Sequence, residues 1–247
     1  MRVAALYDIH GNLHALDAVL ADVAHEAVDA VVVGGDVAGG PMPADVLERL
    51  AALDVAAHWI EGNGEREMLA LEGADPAGLD PYPAIEAWAV ARLDDAQKEC
   101  LRGLPPTATL DVDGLGRVLF CHGSPRSDEE FITPFTPDER LAEMLAGVEE
   151  QTVVGGHTHR QLDRTVGGVR VVNAGSIGMP YEGQVAAFWA LLEDGEPRFR
   201  KTPFDVERAV AALEASDWSG AAEFVAENMR AAVTREEAIA HFESRRG

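Results

Sequence analysis

Two stretches of this 247-residue chain place pairs of metal-capable side chains two positions apart. The run "YDIHGN" carries Asp8 and His10, and "VVVGGHTHRQ" carries His157 and His159. Alternate residues of an extended chain project to the same side, so each pair can converge on one cation. Three more residues of the same chemistry stand where apolar runs stop: Asp36 after "VVVGG", Asn63 after "HWIEG" and His122 after "VLFC". Each alone has an ordinary explanation, a hydrogen-bonded histidine or an Asp that caps a turn. Seven in order, each at the end of a strand-like run, strain that explanation, because ligands of open sheets gather at the carboxyl ends of strands. The set mixes oxygen and nitrogen donors, exceeds the four that a structural zinc takes, and includes no thiolate. Shared between two ions through a bridging carboxylate, it suits Mn²⁺, Fe or Zn²⁺ with positions left open to water.

The elements that must hold these residues alternate in type. "RVAALYD" (2–8), "DAVVVGGD" (29–36) and "AAHWIEGN" (56–63) read as strands, the first two as parallel strands covered on both faces. An amphipathic stretch over 12–26 and the segment 43–53 read as crossover helices, and 65–103 as helical around the breaker "GADPAGLDPYP". The second half changes character. Turn pairs at Asp113–Gly114, Gly167–Gly168 and Asp194–Gly195 sit between strand-like runs and predict three hairpins. Residues 205–247 return to helical periodicity, with Val206, Val210, Leu213, Phe224, Ile239 and Phe242 on the faces expected to be buried. The expected fold is α/β: two facing sheets flanked by helices over 1–204, with 205–247 as a helical appendage packed on them.

Composition narrows the function. A net charge of −23 repels a polyphosphate backbone at long range, so bulk nucleic acid is not the expected partner. A small phosphorylated substrate is compatible, provided that a bound cation reverses the local sign. No apolar run approaches the roughly 20 residues needed to span a bilayer, so no membrane partner is expected. Cys100 and Cys121 are too few for a disulfide framework, and the N-terminus lacks the basic region and small-residue cleavage site of a signal peptide, so the expected compartment is the cytoplasm. The C-terminal helices could pack on the sandwich, cover the site or form a homodimer contact.

The series "DIH", "GGD", "GN", "CHG" and "GHTH" resembles the calcineurin-like metallophosphoesterase superfamily, and "NAGSIG" (173–178) matches a segment that commonly follows. "DIHGNLHAL" further resembles the bacterial branch of phosphodiesterases and small phosphatases. The resemblance implies a four-layer α-β-β-α sandwich with two divalent ions at one edge, Mn²⁺ first, with Fe, Zn²⁺ or Ni²⁺ as alternatives. It implies that Asp8, His10 and His159 hold the first ion and Asn63, His122 and His157 the second, with Asp36 bridging. Asp36, Asn63 and His122 are thereby the expected catalytic residues. The implied reaction is attack of a metal-bridging hydroxide on phosphorus, in line with the departing oxygen.

One departure bears on the substrate. The family's usual Gly-Asn-His followed by an acidic residue is here "GNGE", so Gly64 stands where an imidazole would assist the leaving group, and Glu65 keeps the acidic place. A missing general acid costs on the order of 10²–10⁴ in rate, most on basic alkoxides. Phosphodiesters or nucleotide-like substrates are therefore expected over alkyl monoesters, and a Gly64→His variant is expected to gain most on basic leaving groups. Arg126 or Arg160 could contact phosphate, and Tyr181 could stack on a base or leaving group. The plainer alternatives are a salt bridge from Arg126 to Asp128 or Glu129 and a half-buried turn aromatic. His14 is a weaker candidate acid, while His25, His58 and His241 match no motif. A protein serine/threonine phosphatase or dinucleoside polyphosphate hydrolase is the rival enzyme, although "GGDVAGGPMP" lacks the arginine those relatives carry after this motif. The rival of another class is a metal-binding interaction scaffold, since a retromer subunit shares this fold and acts through partner surfaces.

Overall fold

Val3–Leu6 (β1), Ala30–Val33 (β2) and Ala56–Trp59 (β3) run parallel in one sheet, joined by crossover helices Leu13–His25 (α1) and Pro43–Ala51 (α2). The computed structural model that shows them describes residues 1–245, apart from the side chains of 223, 227 and 228. Every residue of β1 and β2 is buried, as expected of parallel strands covered on both faces. Asn12 starts α1 because its Oδ1 accepts from the Ala15 backbone N–H at 3.1 Å, and Pro43 opens α2, where its missing N–H costs nothing.

Helices Asn63–Ala70 (α3), Pro81–Val90 (α4) and Asp95–Arg102 (α5) lead to the hairpin Thr107–Val112 (β4) and Gly116–Cys121 (β5). After Asp138–Met144 (α6) come Thr152–Gly155 (β6), Leu162–Val166 (β7), Val169–Asn173 (β8), Ala187–Glu193 (β9) and Glu196–Thr202 (β10). The chain closes with Val206–Glu214 (α7), Ala221–Phe224 (α8), a wider helical turn over Val225–Arg230, and Arg235–Arg245 (α9). Two mixed five-stranded sheets result, in the orders β10-β9-β1-β2-β3 and β4-β5-β6-β8-β7.

Strand alternation builds the layers. Val3 and Ala5 point between the sheets, against Val118, Phe120, Val154 and Val172. Ala4 and Leu6 point outward to Leu16 and Val19 of α1, and on the far side Leu141 and Met144 of α6 cover Val153 and Val171. The four-layer α-β-β-α sandwich expected from the sequence is the observed fold. Each expected hairpin forms. At Gly167–Gly168 and Asp194–Gly195 both turn residues have positive φ (60° and 88°, 51° and 82°), the backbone that matches strand twist.

Residues beyond 204 share the apolar layer of α1 and β1 through Val210, Leu213, Trp218, Val225 and Met229. Of the faces expected to be buried, Val210, Leu213 and Phe242 are buried and Val206, Phe224 and Ile239 half-buried. The Gly183 N–H donates to the Val233 carbonyl at 2.9 Å, and Arg235 pairs with buried Glu182 at 2.6 Å, so the chain returns toward the 175–185 loop. Among the described residues no helix is long and apolar enough to cross a membrane.

Candidate metal centre

The strand ends converge. Beyond β1 the backbone enters the left-handed region at Asp8 (φ 53°) and His10 (47°), beyond β2 at Asp36 (51°), and beyond β6 at His157 (66°) and His159 (54°). Among the described residues only Ala27 and Asp194 are other non-glycine residues with positive φ, so this conformation is concentrated at the site. It costs roughly 1–2 kcal/mol per residue and persists only where the surroundings impose it. Here the strand-end loops impose it on one another: His10 N–H donates to the Asp36 carbonyl at 2.9 Å and Gly11 N–H to the Val37 carbonyl at 2.8 Å.

Two groups of ligand atoms form, Asp8–His10–Asp36–His159 and Asp36–His122–His157, each with all atoms within 4.8 Å of one another and with Asp36 in both. His10 Nε2 and His159 Nε2 stand 3.1 Å apart, His159 Nε2 is 3.4 Å from Asp8 Oδ1, and His122 Nε2 is 3.4 Å from Asp36 Oδ2. The far ring nitrogens are anchored on backbone, His122 Nδ1 at 2.9 Å from the Gly34 carbonyl and His159 Nδ1 at 2.7 Å from that of Met179. Such outer contacts fix the ring and leave Nε2 free to ligate. His122 Nε2, His157 Nε2 and Asn63 Oδ1 are buried without a hydrogen-bond partner. An unsatisfied buried polar atom ordinarily costs about 1–3 kcal/mol. These three atoms belong to the residues expected at the second ion, so the donor set fits divalent cations.

Burial depresses the His10 and His157 imidazoles to about 4, helped by His159 and His122 respectively, so both are neutral, the form that ligates. Burial also lowers His122, but the Asp36 and Asp8 carboxylates outweigh it and push it up to about 10. Burial opposes ionisation of Asp36, yet the imidazoles, His122 foremost, hold it well below the usual carboxylate range.

Glu65 fastens the centre from beneath. Its carboxylate accepts from Asp36 N–H (2.8 Å), Val37 N–H (2.7 Å) and Gly62 N–H (2.9 Å), tying the Asp36 loop to the turn that delivers Asn63. Burial and the Asp36 charge nevertheless raise it to about 7. No motif singled out Glu86 of α4, which is 2% exposed and pushed up to about 8 by burial and then by Glu67.

Gly64 is close to Asp36 in a way the sequence did not reveal. Its N–H donates to Asp36 Oδ1 at 2.7 Å, and a Cβ added there would lie 2.8 Å from that oxygen and 3.0 Å from Cγ. An imidazole at position 64 therefore needs the shared carboxylate to move. The gain expected for Gly64→His on basic leaving groups is set against a loss on all substrates from that displacement. A misplacement of about 1 Å costs roughly 10²-fold in rate, and the smaller shift needed here costs less. The comparison of kcat/KM for aryl and alkyl diesters in Gly64→Ala, Gly64→His and wild type separates the two: Gly64→Ala is expected to lose on both classes and Gly64→His to recover most on alkyl diesters, and a Gly64→Ala variant equal to wild type on both contradicts the displacement.

The cleft, about 1220 Å³, opens over the centre and includes Asp36, Asn63, His157, His159 and Tyr181. Tyr181 packs on His159 with ring centroids 4.7 Å apart. Arg126 is turned to Glu130 (2.6 Å) and the Glu143 carbonyl (3.0 Å), away from the cleft, while Asp128 and Glu129 take Arg66 instead. Arg160 is half-buried in a small gap against Ile239 and Phe242 of α9. His14 feels Arg208 and Asp205 at the α7 end. Phe131, Tyr82, His241, Phe242 and Arg245, none of them expected at the site, also line the cleft walls. None belongs to a motif; the buried face expected for Phe242 was the nearest signal.

Residues 1–194 match the model of the calcineurin-like phosphoesterase superfamily domain, and the chain belongs to that family. An uncharacterized protein of Methanocaldococcus jannaschii is 23% identical over 228 residues, 84% of this chain and 89% of its own. A hypothetical protein from Pyrococcus horikoshii OT3 superposes with TM-score 0.79 at 22% identity, over 91% of this chain and 97% of that one. A metallophosphoesterase from Sphaerobacter thermophilus gives 0.74 at 23%, over 94% and 100%. At these identities the structures share the fold. The family and the His/Asp cluster together point to divalent-metal binding and to hydrolysis of phosphate esters.

Proposed function

We propose that the protein is a dinuclear metal-dependent phosphoesterase acting on phosphodiester or nucleotide-like substrates. The observation that carries this reading is the pair of ligand groups sharing Asp36, with donor atoms of Asn63, His122 and His157 left unpartnered beside it. Asp8, His10 and His159 would hold one ion, Asn63, His122 and His157 the other, and Asp36 both, with Mn²⁺ the first choice. When bound, such a pair supplies an acidified water and positive charge at the phosphoryl oxygens. The chain's part is positioning. Strained loops hold the donors, backbone carbonyls orient the imidazoles, and Glu65 fixes the shared carboxylate. No imidazole stands at Gly64 to protonate a leaving group, so the site favours leaving groups that depart as stable anions. Protein stripped of metal and reconstituted with Mn²⁺ is expected to hydrolyse bis-p-nitrophenyl phosphate, with activity lost on chelation and restored by metal. Absence of turnover above that of Mn²⁺ in buffer sinks the proposal and favours the scaffold.

A further inference from the structure

The two imidazoles of the "GHTH" loop are the feet of an aromatic arch. Phe131 stacks flat on His157, with centroids 4.8 Å apart and planes at 8°. Tyr181 leans on His159 at 4.7 Å. Both meet Phe242 of α9, at 4.9 Å from Phe131 and 6.1 Å from Tyr181. A run of rings thus leads from the candidate metal ligands to the C-terminal helix, along the wall of the cleft that holds Asp36 and Asn63. The Pro-rich first turn of α4 lines the same cleft, and there Tyr82 is 42% exposed.

Charge on the walls restricts what enters. Among the described residues Arg245 is the one guanidinium lining the cleft, whereas Glu67, Asp80 and Glu129 also line it. A group bearing several phosphates meets these three carboxylates with a single guanidinium as countercharge, while one anion at the centre with an uncharged flat substituent does not. Flat rings bind aromatic faces by offset or tilted stacking, the geometries found between the arch members.

Building on the phosphoesterase reading, we infer that Phe131 and Tyr181, braced from behind by buried Phe242, form with Tyr82 of the same cleft the subsite for a planar aromatic substituent of a singly charged phosphodiester. α9 thereby carries the positioning residue of the subsite. The substituent's chemistry is shared by aryl groups and nucleobases, so the test includes both.

Calorimetric titration of the Mn²⁺-loaded protein with diphenyl phosphate, adenosine 3′,5′-cyclic monophosphate and ring-free diethyl phosphate reads this directly. At least one aromatic diester is expected to bind about tenfold or more tighter than diethyl phosphate. Preference for the cyclic nucleotide identifies a nucleobase as the occupant, and preference for diphenyl phosphate an aryl group. Phe242→Leu keeps an apolar side chain in the α9 packing and is expected to remove most of the preference, while Phe242→Tyr retains it. Tyr181→Leu, on the other limb, removes it independently should Phe242→Leu loosen α9, which its melting temperature reveals. Equal affinity for all three diesters, or a preference unchanged in both leucine variants, overturns the subsite even if the protein hydrolyses diesters. A ring preference in a protein that hydrolyses none leaves the subsite standing and overturns the phosphoesterase reading.

Discussion

Asp36→Asn is expected to lower kcat/KM for bis-p-nitrophenyl phosphate by about 10³-fold, the equivalent of some 4 kcal/mol of lost charge stabilisation. The substitution is nearly isosteric. The amide oxygen can still accept from Gly64 N–H, so the local backbone has no reason to move. What disappears is the negative charge common to both ligand groups, 3.4 Å from His122 Nε2 and 3.8 Å from His10 Nε2. An amide is a weaker ligand that cannot bridge two cations in the same way. Metal content per chain is therefore expected to fall together with activity, from two ions to one or none by elemental analysis. A variant that keeps two ions and turns over within tenfold of wild type would show that Asp36 is not the bridge.

Glu65→Ala is expected to act through stability first. Truncation leaves three buried N–H groups, those of Asp36, Val37 and Gly62, without their acceptor. At about 1–3 kcal/mol for each orphaned donor, the loss is on the order of 3 kcal/mol or more. For a chain of this size that amounts to a fall in Tm of roughly 6–12 °C. Glu65→Gln separates shape from charge: its carbonyl oxygen replaces one acceptor, but its NH₂ confronts an N–H. It is expected to fall between wild type and Glu65→Ala in Tm. Because the carboxylate ties the Asp36 loop to the Asn63 turn, both variants are expected to bind metal more weakly. Unchanged melting in Glu65→Ala would mean that the loops hold one another without this clamp.

How much of this was legible beforehand depends on the range of each interaction. Strand-helix alternation, the three hairpin turns and the seven metal-capable positions are written in local patterns of two to about fifteen residues, and the sequence by itself determined them. The period of two in "RVAALYD" sends Val3 and Ala5 to one side and Ala4 and Leu6 to the other, whatever lies beyond. Asn12 and Pro43 start helices for reasons contained within a single turn. The family resemblance rested on the same local strings.

What lies across the cleft was not legible, because no local pattern encodes it. Arg126 looked available in its loop, but Glu130 and the Glu143 carbonyl claim it once α6 packs nearby. Gly64 read as a simple deletion of an imidazole. Only the fold brings Asp36 Oδ1, 28 positions earlier, to 2.7 Å from its N–H and fills the space a side chain would need. Phe242 stood 85 positions from His157 with no motif of its own, and α9 had to fold back over the "GHTH" loop before their rings were joined through Phe131. Ligand identity follows from side-chain chemistry, which sequence carries. Wall and neighbour follow from chain path, which only the packed structure decides.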